Sequence, residues 1–249
     1  MFILAFASLK GGVGKTTNAG LTALELSLRY PKRVVAIDLD PNNNLTDFLL
    51  RCHNVSEIES RNIGHVLQSK IQMRQALFEC CLDPNLRVLP AVPNLAEIGK
   101  QLSGNPGILL KFPAAIQKLD CDWVVIDSPP ALTLELSLAL YSANYVAVPA
   151  KANRWTLQAF SIVQEEVNAV IDAVGEGPVV KTLPSICTEK QNSEIRSLLP
   201  NFPFTETFIP KNSAIETLVD AAVTLKAGSK AHIAVSQFVD EVEKWLKHN

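Results

Sequence analysis

Short apolar runs alternate with longer amphipathic segments along the chain, and this pattern predicts its elements. Runs of aliphatic and β-branched residues predict buried strands at 2–7, 34–37, 86–90, 123–126, 145–149, 179–186 and 204–209. Apolar residues at helical spacing predict helices at 18–30, 108–119, 155–174 and 231–247, and two or three surface helices within 51–85. This alternation is typical of a mostly parallel sheet covered on both faces. We therefore expect one α/β domain over residues 1–249, with three layers around a twisted sheet.

A glycine-rich loop, Lys-Gly-Gly-Val-Gly-Lys-Thr-Thr at residues 10–17, joins the first predicted strand to the first helix. This is the context of a phosphate-binding loop, because glycines let backbone N–H groups approach an anion and the helix N-terminus adds partial positive charge. In such a loop Lys15 reaches the β- and γ-phosphates, and the Thr16 hydroxyl binds Mg²⁺. An ordinary Gly/Lys turn is the alternative, and the closing Gly-Lys-Thr argues against it.

The start of this loop departs from the general pattern G-x-x-x-x-G-K-[ST], because its first position holds Leu9 and a second lysine, Lys10, follows. The loop thereby resembles the deviant Walker A motif of the ParA/MinD family of dimeric ATPases. The resemblance implies a P-loop NTPase fold, Mg²⁺-dependent ATP hydrolysis, and a homodimer that holds two ATP molecules between its subunits. It implies catalytic roles for Lys15 and for Lys10, which would reach the partner's nucleotide. It implies nucleotide contacts for Gly11, Gly12, Val13, Gly14, Lys15, Thr16 and Thr17.

Three aspartates follow predicted strands, at the edge where open α/β sheets bind their ligands. Asp127 has the Walker B position and can hold Mg²⁺, although an aspartate before Ser-Pro-Pro is also a common turn residue. Resemblance to the family's D-x-D-P-Q-G-N segment implies that Asp40 is the catalytic carboxylate and that Asp38 supports Mg²⁺; capping of the next loop is the alternative for Asp38. Residues 42–44 are Asn-Asn-Asn here instead of Gln-Gly-Asn, which leaves the hydrolysis rate open. Asn43 tolerates the left-handed conformation that glycine adopts.

A segment near the C-terminus, Phe-Ile-Pro-Lys-Asn at residues 208–212, resembles the family's I-P-R segment, which flanks adenine. The resemblance implies adenine contacts for Pro210 and Asn212, with Thr188 as a weaker candidate. An ordinary strand-to-loop turn is the alternative, since proline and asparagine are common turn residues.

Composition narrows the class of protein. The chain is 47% hydrophobic and 19% charged with a formal net charge of −2, which is typical of a globular protein and excludes one that coats nucleic acid by bulk charge. The five cysteines are odd in number and show no C-x-x-C spacing, so we expect reduced core cysteines rather than disulfides or a zinc site. With no signal-like segment and no uncharged stretch of about 18 residues, we expect a cytoplasmic protein.

The D-x-D-P-x-x-N form favours small ParA-type DNA partition ATPases over MinD-type regulators. MinD proteins bind membrane through a basic C-terminal amphipathic helix. Here the last predicted helix carries Asp240, Glu241 and Glu243, which anionic lipid would repel, so no membrane partner is expected. The alternative function is a MinD-like or cargo-positioning ATPase that acts as an ATP-dependent dimerisation switch on a membrane or another scaffold.

The resemblance also implies partners: non-specific DNA, which would place the ATP-bound protein on the nucleoid, and a ParB-like centromere-binding protein that stimulates hydrolysis. DNA contacts need exposed basic residues, and the candidates are Lys211, Lys226 and Lys230, with Arg196 as a further one. Each of them can equally be an ordinary solvated surface residue. Family members often carry a second arginine shortly after I-P-R, whereas Ala214 occupies that position here. The cargo, the partner and the plasmid or chromosomal role remain open.

Overall fold

A central sheet organises the chain, as a computed structural model that describes residues 1–151, 156–213, 215, 217 and 221–248 shows. Its strands are β1 (Phe2–Phe6), β2 (Val34–Asp38), β3 (Phe78–Glu79), β4 (Leu86–Leu89), β5 (Trp123–Asp127), β6 (Tyr145–Ala150), β7 (Val179–Cys187) and β8 (Ile209–Pro210). Across the described residues the sheet order is β3-β4-β2-β5-β1-β6-β7-β8. Neighbours are parallel except β3 and β4, which are antiparallel. The predicted mostly parallel sheet is therefore confirmed.

Helices cover both faces of the sheet. They are α1 (Lys15–Arg29), α2 (Asn44–Leu50), α3 (Val55–Ser60), α4 (Ile63–Leu67), α5 (Leu95–Leu102), α6 (Ile108–Ile116), α7 (Leu134–Ser142), α8 (Thr156–Val174), α9 (Glu189–Leu198) and α10 (Lys230–His248), with a 3₁₀ turn at Met73–Ala76. Successive residues of a strand face opposite sides, so Leu4 packs with α1, α2 and α10 while Ile3 packs with α4 to α8. These two apolar clusters give the expected three layers. Among the described residues, no helix combines the length and the apolar character that a membrane crossing requires.

Three predicted elements differ from the structure. The helix predicted at 108–119 runs through Pro113 without interruption but ends at Ile116. The strand predicted at 204–209 is wrong: only Ile209–Pro210 is a strand, and Phe204 forms an isolated bridge. The backbone between them turns away because Thr207 donates its N–H to the Glu241 carboxylate of α10 instead of to a neighbouring strand. Region 51–85 contains the expected short helices and also β3, which was missed because it has only two residues.

The cysteine prediction is correct for three residues and wrong for two. Cys80, Cys121 and Cys187 are buried free thiols, as expected. Cys52 and Cys81 instead form a disulfide with a Cα–Cα distance of 5.8 Å. The two cysteines are 29 residues apart, so their spacing gave no sign of contact. They meet because the return of the chain through β3 brings Cys81 to the end of α2.

Candidate active site

The glycine loop leaves β1 and enters α1 through two residues with left-handed backbone. Gly12 and Gly14 have φ angles of 68° and 89°, a conformation that costs an L-residue roughly 1–2 kcal/mol. A Cβ at Gly14 would also lie 3.4 Å from Asn18 Nδ2 and 3.5 Å from Ile186 Cδ1. These distances are ordinary van der Waals contacts, so it is the conformation that favours glycine at position 14. The loop ends at the N-terminus of α1, where unpaired backbone N–H groups favour an anion.

The two lysines of the loop have different surroundings. Lys15 is only 7% exposed, and its Nζ lies 3.3 Å from the Lys10 carbonyl oxygen. Burial lowers the pKa of Lys15, and the charges of Asp127 and Asp40 oppose that change. Lys10 itself is half-buried and lines a cavity of about 200 Å³ together with Lys151. One lysine therefore lies inside the site and the other at its outer edge.

Asp38 is held rigidly at the end of β2. It is fully buried, and its carboxylate accepts hydrogen bonds from the Asp40 N–H at 3.0 Å, the Thr46 N–H at 2.9 Å and the Thr46 hydroxyl at 2.8 Å. Thr46 in turn accepts the Ala91 N–H at 2.9 Å. Burial raises the pKa of Asp38 to about 7, although the hydrogen bonds from Thr46 work in the opposite direction. The orientation of this carboxylate thus depends on the first turn of α2.

Asp127 lies directly beside Asp38, because the two residues are paired in the register of β2 and β5. It is fully buried, and within the described part of the chain neither of its carboxylate oxygens accepts a hydrogen bond. Burial and the charge of Asp38 raise the pKa of Asp127, while the nearby Thr16 hydroxyl and Lys15 ammonium oppose the rise. A buried carboxylate without a partner is costly unless a cation balances it. Carboxylate and hydroxyl oxygens are ligands that Mg²⁺ prefers, so the donor set here fits that ion.

Asp40 and the asparagine loop lie next to these carboxylates. Asp40 is 5% exposed, and its Oδ1 accepts the Asn42 N–H at 2.9 Å. Asn43 has a φ angle of 48° and precedes the first residue of α2. Asn43 thus adopts the left-handed conformation that it was expected to tolerate, and the loop turns here without glycine.

The predicted adenine residues lie at β8, three strands from β1 in the sheet order. Pro210 of β8 pairs with Cys187 of β7, and the Lys211 N–H donates to the Cys187 carbonyl at 2.9 Å. The end of β7 adjoins the glycine loop through Ile186. Asn212 follows on the same segment and is half-buried. Thr188 differs, because its hydroxyl caps α9 by accepting the Gln191 N–H.

Comparison with known proteins identifies the family. A family model described as an AAA domain matches residues 1–177 of this chain. The chromosome-partitioning ATPase Soj of Thermus thermophilus is 34% identical over 157 residues, which cover 62% of this chain and 57% of that protein. The sporulation initiation inhibitor protein Soj of Bacillus subtilis is 30% identical over 195 residues, which cover 73% of this chain and 72% of that protein. The chain belongs to the ParA/MinD family of P-loop ATPases.

Solved structures agree with this family at the level of the fold. Apo McdA from Cyanothece has a TM-score of 0.83 with 22% identity, covering 98% of this chain and 99% of that one. At that identity the similarity shows the shared fold alone. The chain spans only a little over half of the Thermus relative, so partners and substrates need a separate argument.

Some residues that shape this ParA/MinD-family site were missed by sequence reasoning. Asn18 on α1 donates its side-chain N–H to the Ser185 hydroxyl at 3.0 Å, which ties the loop's helix to β7. Thr46 supports Asp38, and the Ser128 hydroxyl donates to the Phe6 carbonyl at 2.9 Å. The contacts of Asn18 and Ser128 join segments that are distant in sequence, and that of Thr46 depends on how α2 lies over the end of β2. No local pattern could have indicated them.

The predicted DNA-contacting residues do not share one environment. Lys211, Lys226 and Lys230 are exposed. Lys230 lies in a pocket with several carboxylates, those of Glu189, Glu206, Asp240 and Glu241. The Arg196 guanidinium donates to the Thr205 carbonyl at 2.7 Å and stacks over the Phe204 ring, which favours a structural role for that residue.

Proposed function

We propose that this chain is a ParA-type partition ATPase that uses ATP as a dimerisation signal. ATP binding joins two copies with both nucleotides between them, and the dimer binds DNA without sequence preference. A ParB-like centromere-binding protein then stimulates hydrolysis and releases the DNA. The observation that carries this proposal is the arrangement of two loop lysines, one inside the site and one at its edge, beside a pair of buried carboxylates.

Nucleotide binding follows from the loop and the carboxylates. The N–H groups of residues 11–17 and the Lys15 ammonium face the phosphates, while Thr16, Asp127 and Asp38 hold Mg²⁺ directly or through water. An ion held by these residues would neutralise the charge of the phosphate oxygens. The unpartnered oxygens of Asp127 support this assignment. Pro210 and Asn212 flank the adenine.

Hydrolysis is assigned to Asp40. Its carboxylate lies on the loop that follows β2, and one of its oxygens is already oriented by the Asn42 N–H. The other oxygen is available to orient a water for in-line attack on the γ-phosphate. Lys10 contributes from the partner subunit, so a monomer lacks one cation of the complete site.

A cargo-positioning role is the second candidate. A maintenance of carboxysome distribution protein A from Synechococcus elongatus is 32% identical over 155 residues, covering 61% of this chain and 59% of that protein. The same ATP-driven dimer would then act on a protein assembly instead of a centromere. A membrane scaffold is disfavoured by the acidic residues of α10. In either role we expect a cytoplasmic protein, and in the partition role its ATP-bound form reaches the nucleoid.

DNA co-sedimentation with ATP, with ADP and without nucleotide tests the proposal. Retention on arbitrary DNA should require ATP and should fall steeply as salt rises, because phosphate contacts release counterions. Lys15→Ala should abolish ATP binding, whereas Lys10→Ala should spare ATP binding by the monomer and prevent dimerisation. Absence of retention at low salt would favour the second candidate. Rapid hydrolysis by Asp40→Ala would contradict the catalytic assignment.

A further inference from the structure

Two cysteines and a histidine meet at the far end of α2, away from the proposed nucleotide chemistry. Cys52 and His53 follow α2 directly, and Cys81 follows β3. One ring nitrogen of His53 and the two sulfurs all lie within 4.8 Å of one another. The backbone holds them there, because the Cys81 N–H donates to the Leu49 carbonyl at 2.8 Å. None of the three has a role in the proposed ATPase cycle.

The His53 ring is oriented in the manner of a metal ligand. Its Nε2 lies 2.7 Å from the Glu79 carbonyl oxygen. A carbonyl only accepts, so Nε2 carries the proton and the lone pair of neutral imidazole is on Nδ1. Metal-binding histidines commonly donate their other ring N–H to a backbone carbonyl in this way. Phe78 packs edge-on against the ring with a centroid distance of 5.1 Å, which fixes its plane.

The two sulfurs are not equivalent. Cys52 is exposed and Cys81 is half-buried. The Cys52 N–H also donates to Cys81 Sγ at 3.0 Å, a contact that stabilises negative charge on that sulfur. An incoming thiolate therefore reaches Cys52 Sγ, and Cys81 is the better leaving group.

We propose that Cys52, His53 and Cys81 form a binding site for a thiophilic divalent cation such as Zn²⁺. The site becomes available when a dithiol reduces the Cys52–Cys81 disulfide. Two thiolates and one imidazole are a common three-ligand set for zinc, and a water completes the tetrahedron. Two Zn–S bonds of about 2.3 Å at a tetrahedral angle place the sulfurs about 3.8 Å apart. The Cα–Cα distance of 5.8 Å permits this separation by side-chain rotation.

One dithiol molecule supplies the two electrons that reduce the Cys52–Cys81 disulfide. Its first thiolate attacks Cys52 Sγ, the S–S bond breaks, and Cys81 leaves as a thiolate that keeps the electron pair. The second thiol of the reductant, as a thiolate, attacks its own sulfur in the mixed disulfide and releases Cys52 as a thiolate. The reductant becomes a cyclic disulfide and has lost two electrons. Both protein thiolates then bind the cation, and the two protons of the dithiol pass to solvent.

Titration with Co²⁺, a spectroscopic stand-in for Zn²⁺, tests the site on the full chain under anaerobic conditions. The chain is reduced with a dithiol, which is then removed by gel filtration, and a second sample stays oxidised. We expect thiolate-to-cobalt charge-transfer absorption that saturates at one Co²⁺ per reduced chain and is absent from the oxidised chain. Absence of the band from the reduced chain, or an equal band in both samples, would overturn the proposal. This comparison needs no substitution.

Variants assign the ligands. Cys52→Ser and His53→Ala should each weaken Co²⁺ binding at least about tenfold, as loss of groups around a metal commonly does. Cys121→Ser is the matched control, because that thiol is buried outside the cluster and should leave the titration unchanged. Undiminished binding in Cys52→Ser or in His53→Ala would refute the three-ligand assignment. Circular dichroism checks that each variant is folded.

Discussion

In the nucleotide-free chain, Asp38→Asn is expected to flatten the pH dependence of folding stability. Burial raises the pKa of Asp38 to about 7 in the folded chain, against an ordinary value of 3.8. Between these values the folded chain keeps a proton that the unfolded chain has released. The stability that this proton contributes is therefore fully present below pH 3.8 and is lost as the pH rises through about 7.

The size of the effect follows from that pKa. From pH 5 to about pH 7, the Asp38 carboxyl of the folded chain holds a proton that the unfolded chain has lost. Over these two units, the free energy of unfolding falls by about 1.36 kcal/mol per pH unit. The wild-type chain should therefore lose about 2.7 kcal/mol more than Asp38→Asn over this interval. Burial and the charge of Asp38 also raise the pKa of Asp127, so the pH dependence of that carboxyl should change in the same direction in Asp38→Asn.

Urea unfolding of both chains at pH 5 and pH 8, without nucleotide or Mg²⁺, measures this difference. The control is Asp172→Asn, which changes an exposed carboxylate on α8 and should follow the wild type at both pH values. Equal losses of stability in the wild type and in Asp38→Asn would refute the reasoning, because they would show that burial does not hold a proton on Asp38.

Three further predictions concern the loop, the support of Asp38 and the disulfide. Gly14→Ala should destabilise the chain by about 1–2 kcal/mol in urea unfolding, whereas Gly11→Ala, which has open space around it, should change little. Thr46→Val should cost about 2–4 kcal/mol in the same assay, because it removes a hydrogen bond to a carboxylate and leaves a buried N–H unpaired. Reducing the Cys52–Cys81 disulfide should lower the free energy of unfolding by about 3.6 kcal/mol, from the entropy of a loop spanning 29 residues. Denaturation curves that coincide with and without reductant would contradict this last value.

The sequence predicted those parts of the fold that depend on the local pattern of apolar residues and glycines. The central strands are continuous apolar runs, and the glycine loop needs only its own residues to adopt its shape. Asp38 and Asp127 end neighbouring parallel strands, so their proximity followed from the fold class. Residue type also indicated that Asn43 tolerates the left-handed conformation found there.

Contacts between distant segments could not be predicted in this way. The Thr46 hydroxyl reaches Asp38 only because α2 folds back over the end of β2. Strand β8 begins only at Ile209 because the Thr207 N–H donates to the Glu241 carboxylate of α10 and not to a neighbouring strand. The pairing of Cys52 with Cys81 likewise depends on β3, whose two residues carry no periodic signal.

The central claim is that ATP joins two copies of this chain through Lys10. Sedimentation velocity of Asp40→Ala, which should bind ATP without hydrolysing it, tests the claim most directly. We expect a species of twice the chain mass with ATP, monomers with ADP or without nucleotide, and monomers with ATP when Lys10→Ala is added. A monomer in the presence of bound ATP, or a dimer that persists without Lys10, would contradict the account.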